Sequence, residues 1–382
     1  MHSELRSAFF LFMTCNNVVK YIEEWAPKEI AWEQDNVGLQ VGSLNRELKN
    51  IMLCLELTEG VIKDSIKQKC NFIFSHHPLL FNPLKNLDTQ NDKNSILVEK
   101  LIKNNITLYS AHTNLDFTKD GVSFQLAKKL KLNNIDFLVN LNYNQYKVVV
   151  FIPEKSVEKL SEKIFEIGGG VIGEYENCSF RTKGEGTFKG SSKTQPYIGR
   201  KNKQEKIEEV RLEFIVNKWK LNAVISTINK YHPYDEPAFD VYPLGNENIK
   251  YGAGAYGNLT KALSQKDFLS AVKNNLNLKN FRFVNGNKKS IKKVAVCGGS
   301  CSDLINTAIN KGMDAFITAD IKYHTFHDAA NKILLIDAGH YETEIHVLSE
   351  VQKRLNKILS NNKKIKVFKY KGSTNPIIFY NN

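Results

Sequence analysis

Asn71-Phe72-Ile73-Phe74-Ser75-His76-His77-Pro78 is the stretch whose reading decides the fold. Phe72-Ile73-Phe74 is a short, unbroken apolar run, as expected of a strand buried on both faces of a sheet. Two adjacent imidazoles follow it directly, at the strand end where open α/β sheets place their ligands. Upstream, Ile51 to Leu55 reads as another strand, followed by a helix from about Glu59 to Lys69. Downstream, a helix over 94–104 leads to the strand Thr107-Leu108-Tyr109-Ser110, which runs into Ala111-His112-Thr113-Asn114-Leu115-Asp116. Nearer the start, Val18, Val19, Ile22 and Trp25 recur at helical spacing, and Ala26-Pro27 ends that helix. Strands alternating with helices predict a layered α/β domain.

The same order returns near the C-terminus, in register. With Cys54 placed on Cys297, Val61 falls on Leu304, Ile62 on Ile305, Ile66 on Ile309, Phe74 on Ile317 and Ser75 on Thr318. His76-His77 then falls on Ala319-Asp320, again at a strand end. One strand later, at a different offset, His112-x-x-x-Asp116 falls on His340-x-x-x-Glu344. Matched apolar periods alone are shared by any two βαβ units. The His-x-x-x-acid pair after a strand in both halves is what argues for two related α/β halves around one shared site. The segment between them has a different texture. Tyr146 to Ile152 and Glu208 to Val216 alternate as strands, and Ser156 to Ile167 and Lys220 to Lys230 read as helices. The order strand, helix, strand, strand, helix, strand predicts an inserted ferredoxin-like α+β domain. The expected division is 13–143 and 250–382 for the two halves of one core, with 144–249 as the insert.

The ligand chemistry follows from these positions. Neighbouring His76 and His77 point in different directions, which suits two metal ions better than one. Asp116 and Glu344 are carboxylates able to bind one ion or bridge two, and His340 and Glu344, four apart, share a face if their segment is helical. Imidazole and carboxylate without thiolate select two divalent ions of the Zn, Mn, Fe or Co class. Internal symmetry puts His112 near the ions, as a ligand or as a proton carrier, and His324 is a second imidazole for proton transfer or substrate contact. Gly298-Gly299-Ser300, between a strand and a helix, offers backbone N–H groups to an anionic substrate, with tight strand–helix packing as the alternative. Gly252-x-Gly254-x-x-Gly257 has no buried strand before it and is discounted as a nucleotide motif.

Composition narrows the class. The 382 residues hold 42% hydrophobic and 24% charged side chains, ordinary values for a globular protein, and no apolar run is long enough to span a membrane. Lys and Arg number 53 against 40 Asp and Glu, but the surplus of 13 is scattered. Nucleic acid is therefore compatible as a partner but not favoured. Six Cys without a CxxC pair or a spaced framework read as reduced thiols of a cytoplasmic protein. Ala8 to Cys15 has a short apolar run with no small-residue cleavage site after it, so Met13 is the expected functional start.

Ser75-His76-His77-Pro78, Ala111-His112-Thr113-Asn114-Leu115-Asp116 and Gly339-His340-Tyr341-Glu342-Thr343-Glu344 resemble the signature segments of the GTP cyclohydrolase 1 type 2 homologues, also called Nif-three-like proteins. Asp35-Asn36-Val37-Gly38-Leu39 and Gly298-Gly299-Ser300 are similar to two further family segments. The insert resembles the PII/CutA-like domain of longer members through Ile172-Gly173-Glu174-Tyr175, Gly184-x-Gly186-Thr187-Phe188 and His232-Pro233-Tyr234-Asp235-Glu236-Pro237. The resemblance implies a two-metal site at His76, His77, Asp116, His340 and Glu344, and a homohexameric ring. It also implies hydrolytic opening of the GTP purine ring with release of formate, His112 or His324 moving the protons. Cys301, Ala319 and Gln34 depart from the pattern in what the resemblance makes the substrate pocket, and none of them is a ligand. Three functions of different class stand at this point: a dinuclear metal-dependent hydrolase acting on a nucleotide or another phosphorylated heterocycle, a regulatory metal- or ligand-binding ring protein without turnover, and a nucleic-acid-associated ring using the basic surface.

Overall fold

The structure, a computed structural model, describes residues 13–380. The expected start at Met13 concerns residues 1–12, which lie outside the described residues. In chain order the first segment runs α1 (Cys15–Trp25), β1 (Gly38–Val41), β2 (Asn50–Cys54), α2 (Glu59–Lys67), β3 (Cys70–Ser75), α3 (Lys93–Lys103), β4 (Thr107–Ser110), α4 (Thr113–Asp116), α5 (Val122–Lys129) and β5 (Asn133–Leu141). The middle segment holds β6 (Gln145–Ile152), α6 (Val157–Glu166), β7 (Phe180–Lys189), β8 (Gln204–Asn217), α7 (Leu221–Tyr231) and β9 (Phe239–Leu244). The last runs β10 (Asn248–Ser264), α8 (Gln265–Leu276), β11 (Arg282–Val284), β12 (Ser290–Val296), α9 (Ile305–Asn310), β13 (Ala315–Thr318), α10 (Tyr323–Ala329), β14 (Leu334–Asp337), α11 (His340–Glu344), α12 (Val347–Ile358) and β15 (Val367–Lys369).

These elements form a mixed α/β fold with three sheets, ordered β1-β4-β3-β2-β15, β11-β14-β13-β12-β10-β5 and β7-β8-β6-β9. The first two repeat one block. β2, β3 and β4 are mutually parallel, as are β12, β13 and β14, and each block carries a short antiparallel edge strand, β1 on β4 and β11 on β14. Parallel strands need both faces covered, and their sequences are accordingly apolar throughout: β3, β4, β13 and β14 are buried along almost their whole lengths. On the first sheet, α1 and α12 supply Val18, Ile22, Val351 and Leu355 to one face, and α2 and α3 supply Val61, Ile62, Leu97 and Leu101 to the other. On the second, α5 and α8 pack Phe124, Leu126, Phe268 and Val272 on one face, while Ile305, Ala308 and Ala329 of α9 and α10 cover the other. Burial of a Leu or Ile side chain is worth about 1.5–3 kcal/mol, so these layers dominate the stability of the core. Helix starts add smaller terms: Thr58 accepts from the Val61 N–H, and Asp92 from the Ser95 N–H at 2.7 Å.

The chain divides into two compact units. One is built from the segments up to Val139 and from Tyr251 onward; the other is Asn140–Lys250, against the 144–249 read from the sequence. In that second unit, alternate residues of β6 and β8 (Val148, Val150, Ile152, Val210, Leu212, Phe214) face Leu160 and Ile164 of α6 and Val224 and Ile228 of α7. The Gly252-x-Gly254-x-x-Gly257 stretch falls within β10. A Cβ on Gly252 would lie 2.6 Å from Phe137 Cγ, and one on Gly257 2.8 Å from Asn133 O. Those glycines let β5 approach β10, which is a packing role.

Candidate metal centre

All three blocks of ligand sequence leave the C-terminal ends of parallel strands in the larger unit. His76 and His77 follow β3, His112 and α4 follow β4, and α11 follows β14 after Gly339. Gly339 has φ of +90°, and a Cβ there would meet Glu342 Oε2 at 2.4 Å, so the turn into α11 requires glycine. The structure brings His76, His77, His112, Asp116, His340 and Glu344 together. Donor atoms of His76, His77 and His112 lie within 4.8 Å of one another, and so do those of His77, His340 and Glu344. Glu344 Oε2 is 3.1 Å from His77 Nε2, and its Oε1 is 3.0 Å from His340 Nε2 and 3.9 Å from His76 Nε2. Asp116 Oδ1 stands 3.6 Å from His76 Nε2.

Each of the four imidazoles has its Nδ1 taken by an oxygen acceptor. His76 Nδ1 pairs with Ala111 O at 2.8 Å and His77 Nδ1 with Glu56 Oε1 at 2.9 Å. His112 Nδ1 pairs with Asp35 Oδ1 at 3.0 Å, and His340 Nδ1 with Asp320 Oδ2 at 2.6 Å. That arrangement directs each Nδ1–H to its acceptor and turns Nε2 toward the cluster, the orientation a metal-binding histidine needs. The carboxylates Asp35, Glu56 and Asp320 were not singled out as site residues in the sequence. Asp320 had a signal, since it aligns with His77 in the internal repeat; Glu56 had only its position two residues past β2.

The charges are perturbed as burial and pairing dictate. Burial holds the His76 imidazole down, at about 3, and pushes the Asp116 carboxyl up to about 7. Burial also opposes charge on His77 and His340. Hydrogen bonds to Glu344, joined by Glu56 for His77, outweigh it and lift them to about 10 and about 9. Burial works against the Glu344 carboxylate too, but the bonds from His340 and His77 hold its pKa well below the usual range.

His76 Nε2 and Asp116 Oδ1 are buried and have no hydrogen-bond partner, and both face the buried Glu344 carboxylate or each other. Buried polar atoms without partners are costly, and two of them on neighbouring residues fit a cation between them. The donor set of imidazoles and carboxylates fits a borderline divalent metal.

The other predicted positions lie differently. Gly298 and Gly299 are buried and Ser300 is exposed. The N–H groups of Gly298 and Gly299 donate to Ser123 Oγ at 3.3 Å and Thr343 Oγ1 at 3.0 Å, so side-chain hydroxyls already occupy them. Gly299 has φ of +70°, and a Cβ there would sit 2.4 Å from Glu344 Oε1. The loop thus gives Glu344 its room. His324 is exposed on α10, its ring against Tyr323 at 5.4 Å. Trp32, two residues before Gln34, is exposed and meets Phe117 edge-on at 5.9 Å.

The chain matches the Duf34/NIF3 (NGG1p interacting factor 3) family over residues 13–376. It is 37% identical over 348 residues to the GTP cyclohydrolase 1 type 2 homolog of Halalkalibacterium halodurans, covering 91% of this chain and 93% of that one. It is 36% identical over 366 residues to the protein of the same name from Bacillus subtilis, covering 95% and 97%. Among solved structures, a Bacillus cereus protein related to NIF3 superposes with a TM-score of 0.83 at 35% identity, covering 97% of this chain and all of that one. Staphylococcus aureus protein SA1388 superposes with a TM-score of 0.76 at 29% identity, covering 96% and 99%. With matches of that length and strength, this chain belongs to the Duf34/NIF3 family.

Proposed function

We propose that the centre holds two divalent cations of the Zn, Mn, Fe or Co class and serves hydrolysis of a nucleotide, with purine ring opening of the GTP cyclohydrolase type as its specific form. The observation that carries this is the convergence of two partnerless buried atoms, His76 Nε2 and Asp116 Oδ1, beside the buried Glu344 carboxylate. His77, His340 and Glu344 would hold one cation, and His76, Asp116 and Glu344 the other, with His112 beside them. Bound there, the pair would supply Lewis-acid activation of the attacked carbon and of the water. Hydrolytic ring opening also needs a proton delivered to the departing ring nitrogen. His112, oriented by Asp35 through Nδ1, is the residue this reading gives that role: its free Nε2 would take a proton from the attacking water and pass it to that nitrogen. The relatives' shared name, GTP cyclohydrolase 1 type 2 homolog, supports the substrate class.

The same reading includes a cytoplasmic location, self-association into a homohexamer and a middle unit of the PII/CutA-like kind. The element order and the β7-β8-β6-β9 sheet support the last of these. Elemental analysis of the protein beside Glu344→Ala, followed by formate release from GTP, tests the proposal. About two ions per chain, mostly lost in the variant, with metal-dependent formate release, is the expected result. Absence of transition metal after reconstitution would overturn it; bound metal without turnover across nucleotides would make this a metal-binding regulator instead.

A further inference from the structure

β15 pairs in parallel with β2, Lys369 opposite Leu53, so both chains leave the sheet at the same end. Beyond the sheet, three consecutive residues of the C-terminal segment each reach a residue bordering a ligand. The Ser373 side chain shares a hydrogen bond with Tyr341. Thr374 Oγ1 donates to Glu56 Oε2. Asn375 Nδ2 donates to Glu342 Oε1 at 3.0 Å. Tyr341 and Glu342 directly follow His340, and the second oxygen of Glu56 accepts from His77 Nδ1. The path to these contacts is pinned, because a Cβ on Gly372 would lie 2.5 Å from Tyr370 Oη.

The other three imidazoles lean on Ala111, Asp35 and Asp320, all within the strand-end loops. His77 alone leans on a carboxylate held in turn by the distant C-terminal segment. From this geometry we infer that Ser373-Thr374-Asn375 is a clasp and Glu56 a positioning residue, together setting the affinity of the cation position built on His77 and His340. The inference rests on the two-cation reading above. Glu56 fixes the ring of His77 and strengthens Nε2 as a donor, a kind of support whose loss typically weakens metal binding about 10–100-fold. Thr374 keeps that half-exposed carboxylate in place, so removing its hydroxyl acts in the same direction and less strongly.

The test uses the full chain with Zn²⁺ in competition with a chromogenic chelator, and Co²⁺ absorption as a report on coordination. The parent protein is expected to show two successive affinities. Glu56→Gln weakens one of them by about 10-fold or more and Thr374→Val by about 3-fold, the other affinity staying within about 2-fold. Thr374→Ser, which keeps the hydroxyl, matches the parent. Thermal unfolding of metal-free Thr374→Val should stay at the parental midpoint, separating positioning from a folding defect. Two bound cations with unchanged affinities in Glu56→Gln and Thr374→Val would overturn the clasp alone. Equal weakening of both affinities together with lowered unfolding midpoints would also overturn it. A parent protein that takes up no cation would overturn the two-cation reading, and the clasp with it.

Discussion

Glu344, carried on α11 of the second sheet, reaches His77 of the first sheet at 3.1 Å and is nearly fully buried. One carboxylate therefore ties the two halves of the core at the ligand cluster. In the metal-free protein it is also the counter-ion of two charged imidazoles, His77 and His340. Removing one member of a buried ion pair leaves its partners uncompensated, which costs about 3–5 kcal/mol. Glu344→Ala should lower the metal-free protein's stability by an amount approaching that figure, read from urea denaturation followed by circular dichroism. An unchanged midpoint and slope would contradict the pairing.

Gly299→Ala probes the room beside that carboxylate. Its Cβ would clash with Glu344 Oε1, and φ of +70° costs a non-glycine residue about 1–2 kcal/mol. We expect a folded protein of modestly lower melting temperature that binds Zn²⁺ at least about 10-fold more weakly, since ligand displacement acts directly on coordination. Parental affinity in this variant would show that the loop yields.

Metal uptake should release protons. His77, near 10, and His340, near 9, are charged at pH 7.5 in the metal-free protein, and each must lose a proton before Nε2 can coordinate. Apparent affinity should therefore rise with pH through the neutral range and level off above about 9–10. Titration calorimetry in buffers of differing ionisation enthalpy measures the protons released. A value of zero at pH 7.5 would refute the assigned charge states.

Asp35 accepts from His112 and Thr113, and although burial opposes its charge, these bonds hold its pKa below the ordinary range. The stability it contributes is complete above its unfolded-state pKa, near 4, and is lost as pH falls through the lower folded value. Asp35→Asn should cost about 1–3 kcal/mol at pH 7 and less in acid. Stability curves of the two proteins should converge as pH drops below 4. Parallel curves would remove Asp35 from the acid transition.

In the middle unit, buried His232 pairs through Nε2 with Phe151 O at 3.0 Å, and its Nδ1 accepts from the Tyr234 N–H at 3.1 Å. A ring with that acceptor is neutral, and burial lowers its pKa. Its contribution is present above the unfolded-state value near 6.5 and is lost as pH falls toward the folded one. As pH falls below 6.5, hydrogen exchange across residues 140–250 should slow less than the falling intrinsic rate predicts, and His232→Asn should restore the intrinsic pH dependence. Equal pH dependence in both proteins would clear His232 of the effect.

Legibility in the sequence followed the range of the interactions. Strands such as Thr107-Leu108-Tyr109-Ser110 and helices such as 93–103 are encoded in local apolar period, and their observed bounds differ from the reading by a residue or so. β15, only three residues long and graded from buried Val367 to exposed Lys369, pairs with β2 more than three hundred positions earlier and has no local signature. The His-x-x-x-acid repeat pointed to one shared site because strand ends converge by topology. The partners of Nδ1 did not follow, because Glu56 with His77 and Asp320 with His340 are contacts between separate loops, set by tertiary packing.

Glu56 and Gly299 occupy equivalent places in the internal repeat, which is offset there by 243 positions as for Cys54 and Cys297. One half kept a carboxylate; the other has a void that Glu344 fills. The two cation positions proposed above would consequently be unlike. One is built on His76, whose side chain is fully enclosed, and the other on His77 and His340, which are 20% and 34% exposed. In the two-cation centre proposed above, one ion would be resident and the other exchangeable, so a chelator would strip it in two kinetic phases and a second metal species could replace one ion while the first stayed behind.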